Sequence, residues 1–178
     1  MNVDLDGEFD TAASADETFA FITTPEKFAP VLPYFKGLDV RDQRHFTVTL
    51  EVGVPQIRGR ADVDAELVES QVPSRAVYVI KGRHALGMMD SRMTFSVAPK
   101  DGSAGARVVW VTQSVVSGTL ASLAQGILLP LAKRQIKSLV QAVRMELGGE
   151  AEPAAPSLVS RGTSSLRGLF GKSTGSAR

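Results

Sequence analysis

Between Ile57 and Leu67 the chain alternates without interruption. Ile57, Gly59, Ala61, Val63, Ala65 and Leu67 fall on one side, and Arg58, Arg60, Asp62, Asp64 and Glu66 on the other. Successive side chains point to opposite faces only in an extended strand. Every outward position is charged, so that face meets water, and the small or apolar positions face a core. The period recurs in Phe46, Val48, Leu50 and Val52 against Thr47, Thr49 and Glu51. It recurs again in Met89, Met93, Phe95 and Val97 against Asp90, Arg92, Thr94 and Ser96. Tyr78 and Ile80 alternate with Lys81 and Arg83 on the strand between. Arg107–Ser117 is a further strand, with Val108 and Trp110 competing against Val109 and Val111 for the inner face. Pro73–Ser74 and Lys100–Gly105 supply turns. Repeated one-sided alternation marks an antiparallel sheet with one solvated face.

The flanks complete the order. Val3, Leu5 and Phe9 alternate with Asp4, Asp6, Glu8 and Asp10, a first strand. Ser14 or Asp16 can cap a short helix carrying Phe19, Phe21 and Ile22, and Pro25 opens a second, which VLPYFKG ends. From Leu120 to Leu147 the apolar residues Leu123, Ile127, Leu131, Leu139 and Val143 recur at helical spacing. Such a helix is roughly 40 Å long. Pro130 lacks an amide hydrogen and crowds the carbonyl four residues back, which predicts a kink near 126–130. Equally, Pro130 can be the first residue of a shorter helix. An antiparallel sheet with one apolar face needs a cover, and this helix is the available one. The class is α+β. A gap between a curved sheet and its helix is a usual apolar ligand site. The inward Gly59, Ala61, Ala65 and Gly82 suit a cavity, unless larger side chains opposite fill it.

Chemistry is sparse. The chain has no cysteine and only two histidines, His45 and His84. That removes disulfides, cysteine-ligated zinc, thiol nucleophiles and multi-histidine metal sites. A net charge of +1 over 178 residues argues against a nucleic-acid binder. Asp90 and His45 suggest no coherent site, and Gly102–Gly105 lacks the lysine and helix start of a phosphate loop. No secretory signal is expected at the start, and the apolar run around Leu120–Ala132 is too short for a membrane span. The expected location is cytoplasmic, with peripheral attachment to the inner face of the cell membrane through the C-terminal tail.

Composition shifts after Leu147. The predicted organisation is a folded body at 1–147, a linker at 148–163 and a basic amphipathic tail at 164–178. Leu166, Leu169 and Phe170 share one face of a short helix, with Arg161, Arg167 and Lys172 nearby. Such a segment can fold on an anionic membrane surface, dock on a protein partner, or stay disordered.

Three stretches carry a resemblance: FDTAASADETFAFITTPEKFAPVLP, GVPQIRGRADVDAELVE and SGTLASLAQGILLPLAKRQIKSLVQAVRMEL. With the element order, they resemble the helix-grip (START-like, polyketide cyclase-like) superfamily, and within it the CoxG family of carbon monoxide dehydrogenase subunits. That family often carries Asp-Pro-Glu and Leu-Pro-Gly around the second helix. Here stand Thr24-Pro25-Glu26 and Leu32-Pro33-Tyr34, with the glycine delayed to Gly37.

The resemblance implies a curved antiparallel sheet wrapped around a long C-terminal helix, with two short helices after the first strand. It also implies an accessory, non-catalytic protein that binds an apolar molecule and associates with a molybdenum carbon monoxide dehydrogenase. The expected ligand is an isoprenoid quinone, menaquinone or ubiquinone, because the dehydrogenase works in water while its acceptor is buried in lipid. The expected ligand-binding residues are Tyr78, Ile80, Met89, Met93 and Phe95 on the sheet and Leu123, Ile127, Leu128 and Leu131 on the helix. Phe28, Leu32 and Phe35 are expected at the entrance. His84 is a candidate to bond a ligand carbonyl, or a satisfied core histidine. Gln135 is a candidate to orient a polar head group, or a partner for a neighbouring backbone group. The alternatives are a recruitment or assembly factor with a filled core, and a cyclase- or hydrolase-like enzyme using His84 or Asp90.

Overall fold

A computed structural model describes residues 1–149. The chain runs β1 (Asn2–Thr11), α1 (Ala15–Thr23), α2 (Pro25–Phe28), a 3-10 turn (Ala29–Val31), β2 (Phe35–Val40), β3 (His45–Val54), β4 (Ile57–Gln71), β5 (Arg75–His84), β6 (Gly87–Pro99) and β7 (Ala106–Gly118). It ends in α3 (Thr119–Leu123), a π turn (Ala124–Leu128) and α4 (Leu129–Glu146). The seven strands form one sheet, β1-β7-β6-β5-β4-β3-β2, and every neighbouring pair is antiparallel.

The alternation of β4 survives intact. Asp64 faces out, where it accepts from Thr47 at 2.6 Å and Arg83 at 2.6 Å. Across the sheet Phe46 stands opposite Ala65, and Ala65 opposite Ile80, all on the inner face. On β7 the competition resolves in favour of Val108 and Trp110, which are buried, while Val109 and Val111 are exposed. The register decides it. Trp110 pairs with Gly7 on β1, and a side chain there would meet the indole ring 2.7 Å away. The bulky ring and the glycine share one slot on the inner face.

Ser14, rather than Asp16, caps α1. Its hydroxyl accepts from the Glu17 amide while the Glu17 carboxylate accepts from the Ser14 amide, a reciprocal capping box. β2 is a strand that the alternation did not reveal, because an irregularity between Phe35 and Gly37 breaks the period of two in FKGLDV. It is defined by pairing along β3. Phe35 therefore belongs to this edge strand, opposite Leu50, and packs on the core rather than at an entrance.

The C-terminal helix combines both readings of Pro130. Helical backbone continues from Thr119 to Glu146, as a kinked helix would. Yet Pro130 also stands in the first turn of α4, where its fixed φ suits the start of a helical segment. The π turn just before it widens the helix where the proline ring would otherwise crowd the Gly126 carbonyl. The predicted linker and tail lie, from residue 150 on, outside the described residues.

Candidate functional site

The sheet and the helices bound a partly open cavity of about 280 Å³, and among the described residues no polar atom faces it. Its floor is the inner face of β3 to β7: Phe46, Val48, Val63, Ala65, Tyr78, Ile80, Met89, Met93, Phe95 and Trp110 contribute. Ile136, Leu139, Val140 and Val143 of α4 roof it, and Ile22, Pro25, Phe28 and Leu32 close the side. Strand periodicity of two sends alternate residues in, and α4 presents one stripe at spacings of three, one and three.

The floor is stiffened by aromatic contacts. Tyr78 meets Phe46 edge-on at 6.0 Å between centroids, and Phe95 at 6.4 Å. The Tyr78 hydroxyl donates to the Ile22 carbonyl at 3.3 Å, so the one polar atom of this cluster is spent on the backbone of α1. Burial pushes that phenol up to about 12. Beyond the floor, Ser91 and Ser114 are buried and bonded to each other at 2.6 Å, with Thr112 3.4 Å from Ser114. Ser91 shares the face of Met89 and Met93, so its position was readable from the alternation, although its buried partners on β7 were not.

Of the expected ligand residues, Tyr78, Ile80, Met89, Met93, Phe95, Phe28 and Leu32 line this cavity. The others do not. Leu123, Ile127, Leu128 and Leu131 pack with Ile57, Val116 and Leu120 in a second core that closes one end of the sheet. The helix is long enough to do two jobs, and its first half seals while its second half roofs. His84 follows the second of its two expected readings, a histidine satisfied within the fold. Its Nε2 lies 3.1 Å from the Arg58 carbonyl, and its Nδ1 accepts from the Leu86 amide at 3.1 Å. Together these bonds fix the Nε2–H tautomer and occupy both nitrogens. Gln135 donates from Nε2 to the Tyr34 hydroxyl at 3.1 Å, a side-chain partner rather than a backbone one.

Of the small inward residues, Ala65 alone borders the cavity, while Gly59 faces His84 and Gly82 faces Met89. Asp90 is exposed, and His45 sits on the outer face between Asp42 and Glu66. Among the described residues no group of His, Asp or Glu is placed to hold a metal ion. No described helix is long and apolar enough to cross a membrane. Arg161, Leu166, Arg167, Leu169, Phe170 and Lys172 lie outside the described residues.

One protein-family profile, that of the CoxG subunit of carbon monoxide dehydrogenase, matches residues 7–148. No curated protein sequence matches the chain. A conserved protein from Geobacillus kaustophilus superposes with a TM-score of 0.76 at 16% identity, over 82% of this chain and 95% of that one. A START superfamily protein from Mycobacterium smegmatis gives 0.62 at 14% identity, over 82% and 97%. The Zhui aromatase/cyclase from a Streptomyces species also gives 0.62 at 14% identity, over 83% and 94%. At these identities the likeness is one of fold: a START-like, helix-grip architecture.

Proposed function

The chain belongs to the CoxG family of carbon monoxide dehydrogenase subunits, and from that premise we propose a non-catalytic carrier that holds an isoprenoid quinone in the cavity. In this reading it links a molybdenum carbon monoxide dehydrogenase to the quinone pool of the membrane. The observation that carries it is the cavity's wholly apolar surface. Such a surface gains by taking prenyl groups out of water, at about 25 cal/mol per Å². Among the described residues it offers no acid, base or nucleophile to a reaction. Met89 and Met93 supply flexible thioethers that adapt to an irregular chain. Menaquinone and ubiquinone share the prenyl chain that this surface would recognise.

Charge supports attachment to the membrane. Residues 119–145 contain Lys133, Arg134, Lys137 and Arg144 and no acidic residue. Lys133, Arg134 and Lys137 are exposed on the side of α4 turned away from the cavity. Each basic group near an anionic leaflet contributes about 1 kcal/mol. The tail, with Leu166, Leu169 and Phe170 among Arg161, Arg167 and Lys172, would add apolar insertion. This basic face also fits the second reading, a tether that recruits the dehydrogenase without its own ligand.

Trp110 is the sole tryptophan and lines the cavity, so it reports on occupancy directly. Titration with menaquinone or ubiquinone in detergent is expected to quench its fluorescence saturably at one quinone per chain. Ala65→Phe, which blocks the floor, is expected to abolish the quenching and leave sedimentation with anionic vesicles unchanged. Vesicle binding without any saturable quenching in the unaltered protein would refute the carrier and favour the tether.

A further inference from the structure

Tyr34 has φ +64°, and it is the one non-glycine residue among those described with a positive φ. An aromatic L-residue adopts the left-handed region only where its surroundings hold it there, and such outliers concentrate at clamps and switches. Two bonds hold Tyr34. Its carbonyl accepts from the Glu51 amide at 2.9 Å, and its hydroxyl accepts from Gln135 Nε2 at 3.1 Å.

The two bonds differ in what they join. The first ties the residue to β3, part of the hydrogen-bonded sheet. The second crosses to α4. Two residues before Tyr34 is Leu32, and directly after Gln135 is Ile136, both walls of the cavity. The sheet floor is held by continuous ladders and cannot part without breaking them. The seam between the segment after α2 and α4 carries no ladder, and the Tyr34–Gln135 bond spans it.

We propose that this bond is a latch that holds the Leu32–Tyr34 segment against α4 and sets the rate at which an apolar ligand enters and leaves. Once it breaks, the backbone at Tyr34 is free to relax to negative φ, which draws Leu32 away from Ile136. Strain and bond thus oppose each other across one residue, and the seam has two states. This inference rests on the reading of the cavity as a ligand site.

The test uses the full chain, with decylubiquinone, a short-chain benzoquinone, followed by stopped-flow quenching of Trp110. Tyr34→Phe removes the hydroxyl and keeps the ring and the strained backbone. Loss of one ordinary hydrogen bond corresponds to about tenfold in the opening equilibrium. Association and dissociation rates are therefore both expected to rise about tenfold, with Kd within twofold of the original. Gln135→Leu should do the same, and the double variant no more. A second measurement needs no ligand: amide exchange at Glu51 should quicken in both variants. Unchanged rates and unchanged Glu51 exchange would overturn the latch. So would a weaker Kd carried by dissociation alone, since that makes Tyr34 a ligand contact. Absence of quenching in the unaltered protein would instead strike the cavity reading. In that case unchanged Glu51 exchange would overturn the latch as well.

Discussion

Ala65→Leu separates an open cavity from a filled core by the sign of its effect. Ala65 is 6% exposed and stands between Phe46 and Ile80 with its methyl at the cavity surface. Leucine adds three carbons. Where there is room, each buried carbon contributes about 0.8 kcal/mol, or about 2.4 kcal/mol together. Fixing the longer side chain costs roughly 0.5–1 kcal/mol of rotamer freedom. The expected net is a gain of about 1.5 kcal/mol, which raises Tm by about 3–6 °C for a domain of this size. In a filled core the same carbons overpack and cost about 1–3 kcal/mol. Urea unfolding followed at Trp110, with calorimetry on lipid-stripped protein, measures the difference. Destabilisation by about 1 kcal/mol or more would refute the reasoning, because it would mean that the space is not there to be filled.

Three further expectations follow from single residues. Burial raises the Tyr78 phenol to about 12, so the fold keeps this contribution below pH 10 and loses about 2–3 kcal/mol as pH rises toward 12. Alkaline unfolding curves should show the loss in the unaltered protein and not in Tyr78→Phe. Hydrogen bonds from Arg107 and then Lys100 lower the Asp10 carboxyl to about 2. Its stabilisation is present above about pH 4 and lost as pH falls toward 2, and solvent screening holds it under about 1 kcal/mol. Asp10→Asn should flatten that part of the acid-unfolding curve. Gly7→Ala places a methyl against the Trp110 ring, and should cost about 1–3 kcal/mol with a shift in the tryptophan emission.

Much of the fold was legible because strands announce themselves by a period of two. Ile57–Leu67 names both faces of β4, and the same logic found β3, β6 and the sheet half of the cavity, from Tyr78 to Phe95. The failures have physical causes. β2 is short, irregular and defined by its partner, so FKGLDV alone gives no period. On the C-terminal helix, one apolar stripe serves two cores. Spacing says that Leu123, Ile127, Leu131, Leu139 and Val143 are buried, but not which of them face the cavity and which face Ile57 and Val116. The change of task falls within α4, between Leu131 and Ile136, and no local pattern reveals it. His84 shows a second limit: it stands opposite Ala61 as the alternation implies, but alternation could not choose between a ligand contact and the two backbone groups at the strand end that occupy both ring nitrogens. Tyr34 and Gln135 are 101 residues apart, and only the closed fold brings them together.

The central claim is that the cavity holds an apolar molecule taken from the membrane. Native mass spectrometry of the full chain, purified gently from its own host and followed by solvent extraction, tests it most directly. The account predicts one isoprenoid quinone per chain, absent from Ala65→Phe prepared in parallel. A folded protein that still accompanies its dehydrogenase but yields no apolar ligand would contradict it.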